Sequence, residues 1–180
     1  TRRGDEVACG VFNHVRAEGK LYLHLNRRDE QVACLRESDS ATLVFQDILA
    51  VIPSYWVDEK YAGAATTYYR YAELRCRARV LESDEELTRV FRSLMGRYQP
   101  EGRHEPLSPD SATYRSSYAM LSVVELEPLS VRTKWKIGQN RPVETRLKVA
   151  AELEKRAQGQ DLRAAAEIRK WIAAGGSSGS

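Results

Sequence analysis

With 180 residues, 42% hydrophobic and 29% charged, the chain is long enough for one packed core and short for two of ordinary size. Its 28 basic side chains are offset by 25 acidic ones, and the formal charge of +3 gives no whole-chain argument for nucleic acid. Cys9, Cys34 and Cys76 lack CxxC or Cys/His metal spacing, so buried free thiols in a reducing cytoplasm are expected. No apolar run approaches membrane-spanning length and no leader pattern opens the sequence, so the expected location is cytoplasmic.

From Glu6 to Arg16, Val7, Cys9, Val11 and Val15 share one parity, the two-residue period of a half-buried strand. Ala17-Glu18-Gly19 turns the chain. Leu21, Leu23 and Leu25 then alternate with Lys20, Tyr22 and His24, completing a predicted hairpin with His24 off the leucine face. Asn26 is the expected cap of a helix from about Arg27 to Glu37.

Ala41 to Ile52 is apolar and β-prone and reads as a central strand, followed by a loop over residues 55–63. The longest alternation runs from Ala64 to Glu82, long enough to bend around a barrel. Ser83 and Glu86 form a capping box for an amphipathic helix carrying Leu87, Val90, Phe91 and Leu94 up to Tyr98. Residues 99–115 form a long loop, a candidate lid or interface.

Two strands, Ser117 to Glu127 and Leu129 to Ile137, are predicted on either side of Pro128, which cannot donate to a ladder. Pro142 opens a helix over residues 143–156, and Asp161 caps another over 162–172. About six antiparallel strands without a βαβ rhythm indicate a mainly β fold, a barrel with flanking helices and a C-terminal helical pair. The start at Thr1 reads as a trimmed terminus, and the Gly/Ser tail over 175–180 as a flexible linker.

No GxGxxG, Walker loop, GxSxG or HExxH occurs, which argues against a nucleotide fold, a hydrolase triad or a metal-first enzyme. Three segments instead suit an anion. His24-Leu25-Asn26-Arg27-Arg28 joins a strand to a helix start with two guanidiniums beside it, which are either phosphate contacts or solvated first-turn residues. Thr66-Thr67-Tyr68-Tyr69-Arg70-Tyr71 places Arg70 on the parity of Ala72, Leu74 and Cys76. Its charge either finds a partner there or bends to solvent at the rim.

The third segment, Lys134-Trp135-Lys136-Ile137-Gly138-Gln139-Asn140-Arg141, offers two cations and an amide pair to a polyanion or a polar ring edge. It also reads as an ordinary helix start, with Trp135 in the core.

With those residues in view, the chain resembles the FMN-binding split-barrel (pyridoxamine 5'-phosphate oxidase-like) superfamily, and within it the PaiB-like branch, over roughly Val7 to Pro142. Gly19 to Arg27 resembles the strand-to-helix segment near the flavin phosphate. Ile52-Pro53-Ser54-Tyr55-Trp56 and Ala65-Thr66-Thr67-Tyr68-Tyr69 are similar to two aromatic stretches of the branch, the second with Thr67 for its Trp and Tyr68 for its Asn. Trp135 to Arg141 resembles its Phe-Lys-Leu-Ser-Gln-Asn-Arg signature.

The resemblance implies a six-stranded antiparallel split β-barrel domain over residues 1–141, with 142–174 as a helical appendage. It implies a homodimer holding FMN, with deazaflavin F420 and haem as the alternatives found on this scaffold. Carried over by position, its cofactor-binding residues would be His24, Asn26, Arg27, Arg28, Thr66, Thr67, Lys136 and Gln139, and the residue types of the same segments add Tyr68, Arg70 and Asn140. The expected function is a flavin-dependent oxidoreductase acting on a small molecule, with NAD(P)H as a candidate donor; the alternative is a non-catalytic flavin-binding regulator.

Overall fold

The alternation read from Lys20 to Asn26 does form a strand, β4 (Lys20–Asn26), paired antiparallel with β3 (His14–Ala17). Ala17 faces Lys20 in the register, so Glu18 and Gly19 alone make the turn, with φ of 53° and 78°. A two-residue loop between right-twisted strands requires such positive values, which glycine adopts freely. The computed structural model describes residues 1–3 and 6–175.

The remaining elements are β1 (Arg2–Arg3) and β2 (Glu6–Val7), then α1 (Glu30–Glu37), β5 (Ser40–Ile52), β6 (Thr66–Leu81) and α2 (Asp84–Tyr98). After them come α3 (Arg115–Met120), β7 (Leu121–Lys136), α4 (Val143–Arg156) and α5 (Asp161–Ala173). One antiparallel sheet of five strands, in the order β3-β4-β7-β6-β5, is open and flanked by helices, while β1 and β2 form a separate short ribbon. The fold is mixed α/β, and the described residues contain an open five-stranded sheet where a six-stranded barrel was expected.

The count drops because β7 runs unbroken through Pro128. Pairing with β4 spans only Leu121 to Leu126, so the proline lies past the last rung on that side, where its missing N–H costs no ladder bond to β4. The predicted strand start at Ser117 is helical instead. The predicted strand over residues 6–16 also breaks up: Val7 and Cys9 are exposed and Val11 is 101% exposed, so their shared parity marks no buried face. Cys34 and Cys76 are buried as expected.

The helix after β4 begins at Glu30, not Arg27, and its cap is Asp29, whose Oδ1 accepts from Gln31 N at 2.8 Å. The reason lies where α3 meets β7: Arg27 N donates to the Met120 carbonyl at 2.7 Å, one rung past the Asn26–Leu121 pair, and Asp29 N donates to the Asn26 carbonyl at 2.9 Å, so residues 27 and 28 form a turn before the helix. The Asn26 side chain serves that turn, accepting from Arg28 N at 2.9 Å. The β5 strand is an edge rather than central, and its exposure alternates from Ser40 to Ile48 as one solvated face requires.

The described chain packs into two compact units. One comprises Thr1–Leu43 with Leu74–Val131, the other Val44–Glu73 with Arg132 onward. In the first, α2 lays Leu87, Val90 and Leu94 on a core with Tyr22, Leu81, Tyr118 and Val123. Its start is the expected capping box: Glu86 N donates to Ser83 Oγ, and the hydroxyl donates to the Glu86 carboxylate at 2.9 Å. At its end, Tyr98 Oη accepts from His14 N at 3.1 Å and donates to His14 O at 2.9 Å, covering the open edge of β3.

In the second unit, α4 and α5 bury Val149, Ala150, Leu153, Ala164, Ala165 and Ile168 together with Leu49, Ile52, Trp56, Tyr68 and Ile137. Alanines at the facing positions of α5 let the two helices approach closely. No described helix is long and apolar enough to cross a membrane. The proposed linker over 175–180 lies outside the described residues except for Gly175.

Candidate functional site

The residues singled out in the sequence divide between the two units. In the first, His24 is half-buried with its ring edge against Phe91, centroids 6.2 Å apart, and its buried Nδ1 has no hydrogen-bond partner. Desolvation pushes its pKa below the ordinary histidine value, so the ring is neutral at pH 7. Arg27 spends its guanidinium on protein: Nη2 donates to the carbonyls of Tyr118 (3.3 Å) and Leu121 (3.2 Å). Arg28 is exposed in the turn before α1 rather than in its first helical turn.

The same unit holds a charged cluster that pattern reading missed. Glu125, 10% exposed in its side chain, accepts from Tyr22 Oη and Lys20 Nζ, both at 3.0 Å, and from Arg79 Nε at 3.3 Å. Burial pushes its carboxyl up, but these three donors outweigh it and hold it below the ordinary glutamate range. Tyr22, Lys20 and Arg79 each direct a donor at the one carboxylate, so the cluster reads as a cross-strand clamp.

Within the second unit Arg70 has the partner its parity demanded, and that partner is protein. Nη2 meets Asp47 Oδ2 at 2.6 Å and Nη1 meets Glu167 Oε1 at 3.1 Å, tying β5 and α5 to β6. Tyr68 is buried, and burial pushes its phenol up against the pull of nearby Arg141 and Arg146. Thr67 is half-buried beside it.

Where β7 ends, a groove of about 570 Å³ opens in this unit. Lys134, Trp135 and Lys136 of β7 line it with Gln139 and Asn140 of the following turn, Tyr69 of β6 and Trp171 of α5. Lys136 donates to Thr66 Oγ1, and its Nζ stands 6.0 Å from the Tyr69 ring centroid. No carboxylate is among the lining residues.

Gln139 braces this groove. Its Oε1 accepts from Ile137 N and its Nε2 donates to the Trp135 carbonyl, both at 2.9 Å, so the amide folds the turn back on the strand end. Trp135 is 49% exposed, not core as the helix-start reading had it, and Trp171 is 40% exposed. Trp171 follows Ile168 by one helical turn and so reads as part of the buried stripe; no sequence signal separates it.

Two lysines and two amides beside three aromatic side chains give this groove hydrogen-bond donors and flat apolar walls, features that a phosphorylated planar ring would need. Residues 10–131 match the model of the family described as "Putative FMN-binding domain", and the chain belongs to this FMN-binding family. FMN is accordingly its cofactor, and the groove's donors and rings fit it.

The fold is similar to that of the flavocytochrome Anf3 from Azotobacter vinelandii, with 17% identity and a TM-score of 0.55 over 68% of this chain and 53% of that one. It is also similar to the FAD and heme binding protein from Mycobacterium smegmatis, with 15% identity and a TM-score of 0.62 over 76% of this chain and 63% of that one. The chain thus spans less than two thirds of the length of either structure. No curated protein matches the sequence.

Proposed function

We propose that this chain is a flavin-dependent oxidoreductase of the split-barrel type that seats FMN against the groove at the end of β7. The observation that carries the reading is the groove's makeup: cationic Lys134 and Lys136, three aromatic walls, and no lining carboxylate to repel a phosphate. The family membership supports it. FMN, when bound, supplies the hydride or electron transfer.

The chain's own groups bind and orient. Lys136 is pre-positioned by Thr66, so its charge is presented without ordering a free side chain. Gln139 holds the turn that carries Asn140. The second copy of a homodimer finds support in the apolar residues left exposed on edge strand β5, Val44 at 55%, Ile48 at 54% and Val51 at 61%. A cytoplasmic setting, a small organic substrate and NAD(P)H as donor complete the proposal.

The test is reconstitution of purified apoprotein with FMN, followed by NAD(P)H oxidation under single-turnover conditions. Stoichiometric uptake with an oxidised-flavin spectrum that NAD(P)H bleaches is the expected result. Uptake without bleaching by any pyridine nucleotide would favour a flavin-binding regulator, and a Soret band or a single deazaflavin band in the isolated protein would replace FMN with haem or F420.

A further inference from the structure

Helix α5 turns one stripe inward: Asp161, Ala164, Ala165 and Ile168 are buried, and Ile172 packs against the same core. Trp171 stands at the border of that stripe, 40% exposed, and lines the groove with Trp135 and Tyr69. A tryptophan left this open keeps a large apolar face in water, a cost that a flat ligand would remove.

Position in the chain adds a second argument. Of the groove's lining residues only Tyr69 lies within the family-matched segment 10–131; the rest follow it. The flat walls are therefore supplied chiefly from outside the part of the chain that defines the family.

We infer that Trp171 is a ring-contacting residue, the wall on which the isoalloxazine lies, so that the C-terminal helix selects the flat part of the ligand while Lys134 and Lys136 take its phosphate. This rests on the FMN reading of the groove. The division of labour gives the two ends of the ligand separate signatures: loss of the wall weakens flavins with and without phosphate equally, while loss of a lysine weakens only the phosphorylated one.

The experiment titrates FMN and riboflavin into the full chain and follows quenching of flavin fluorescence. Trp171→Ala is expected to weaken both flavins by a common factor of about 10 or more. Trp171→Phe should stay within about threefold of wild type, because a ring remains. Lys134→Ala should weaken FMN alone.

A measurement that does not depend on the alanine variant folding uses Trp135→Phe. That change leaves Trp56, which is 6% exposed, and Trp171 as the only tryptophans, so acrylamide-accessible emission reports Trp171. FMN is expected to shield it. Unchanged flavin affinity in Trp171→Ala, or no shielding while FMN binds, overturns the role of Trp171 and leaves the FMN site standing; wild-type protein that binds neither flavin overturns both.

Discussion

The hydroxyl of Tyr68 sits where a side chain at Gly138 would begin. A Cβ built on Gly138 would lie 2.3 Å from Tyr68 Oη, and the glycine has φ of +79°. Tyr68 is 2% exposed and has no room to swing aside. The turn that carries Gln139 and Asn140 into the groove therefore depends on the absence of a side chain at one position.

Gly138→Ala is expected to lower stability by about 2 kcal/mol or more, since left-handed backbone strain and overpacking act together. Chemical denaturation measures it. FMN affinity should fall in the same variant, and a variant of wild-type stability would show that the tyrosine can relax.

Gln139→Ala should leave stability within about 1 kcal/mol, because the turn is half-exposed, yet weaken FMN and riboflavin severalfold by releasing the strand end. Equal loss for both flavins in a fluorescence titration is the expected mark of a positioning residue. A loss confined to FMN would make the amide a direct phosphate contact instead.

Arg156 and Asp161 form a two-pronged ion pair across the α4–α5 connection, Nε to Oδ2 and Nη2 to Oδ1, both at 2.7 Å. Arg156 also donates to the Val51 carbonyl at 3.0 Å and covers the Trp56 ring at 4.7 Å. Asp161→Ala is expected to cost about 2 kcal/mol, toward the lower end for a buried pair because the arginine reaches solvent. Thermal melts give the value.

The same aspartate sets part of the acid response. The Arg156 hydrogen bond holds its carboxyl below the ordinary value of 3.8, as the three donors hold Glu125 below 4.5. A depressed carboxyl stabilises fully above its unfolded value and loses that contribution as pH falls through the folded one. Urea midpoints should decline gently below about pH 6.5, where His24 takes a proton more readily unfolded than folded, and more steeply below 4.5, and Glu125→Gln, whose removal of the charge eliminates one such carboxylate, should shallow the steeper part.

Arg27→Ala is expected to cost about 1 kcal/mol through the two carbonyl hydrogen bonds it removes, while Arg28→Ala stays within about 0.5 kcal/mol. Denaturation of the two single variants separates a structural arginine from a solvated neighbour, and equal effects would refute the distinction.

Much of this molecule was legible in local pattern. The turn at Glu18-Gly19, the Ser83–Glu86 box, the long alternation of β6 and the need of Arg70 for a partner all follow from side-chain period and backbone preference within a few residues. Those rules state which face of an element is apolar, because the chain's own geometry repeats every two or 3.6 residues. They do not state what will cover that face.

Tertiary structure alone decided the rest. Arg70 meets Glu167 across 97 residues of sequence, β5 lies at an edge because no further strand among the described residues pairs beyond it, and Pro128 sits within a strand because β4 ends before it. Arg27 is held in a turn short of α1 because the start of β7 lies beside it, and Trp171 is half-open because it stands at the border of its helix's core stripe. Exposure is a property of neighbours brought from far along the chain, which the order of residues nearby does not contain.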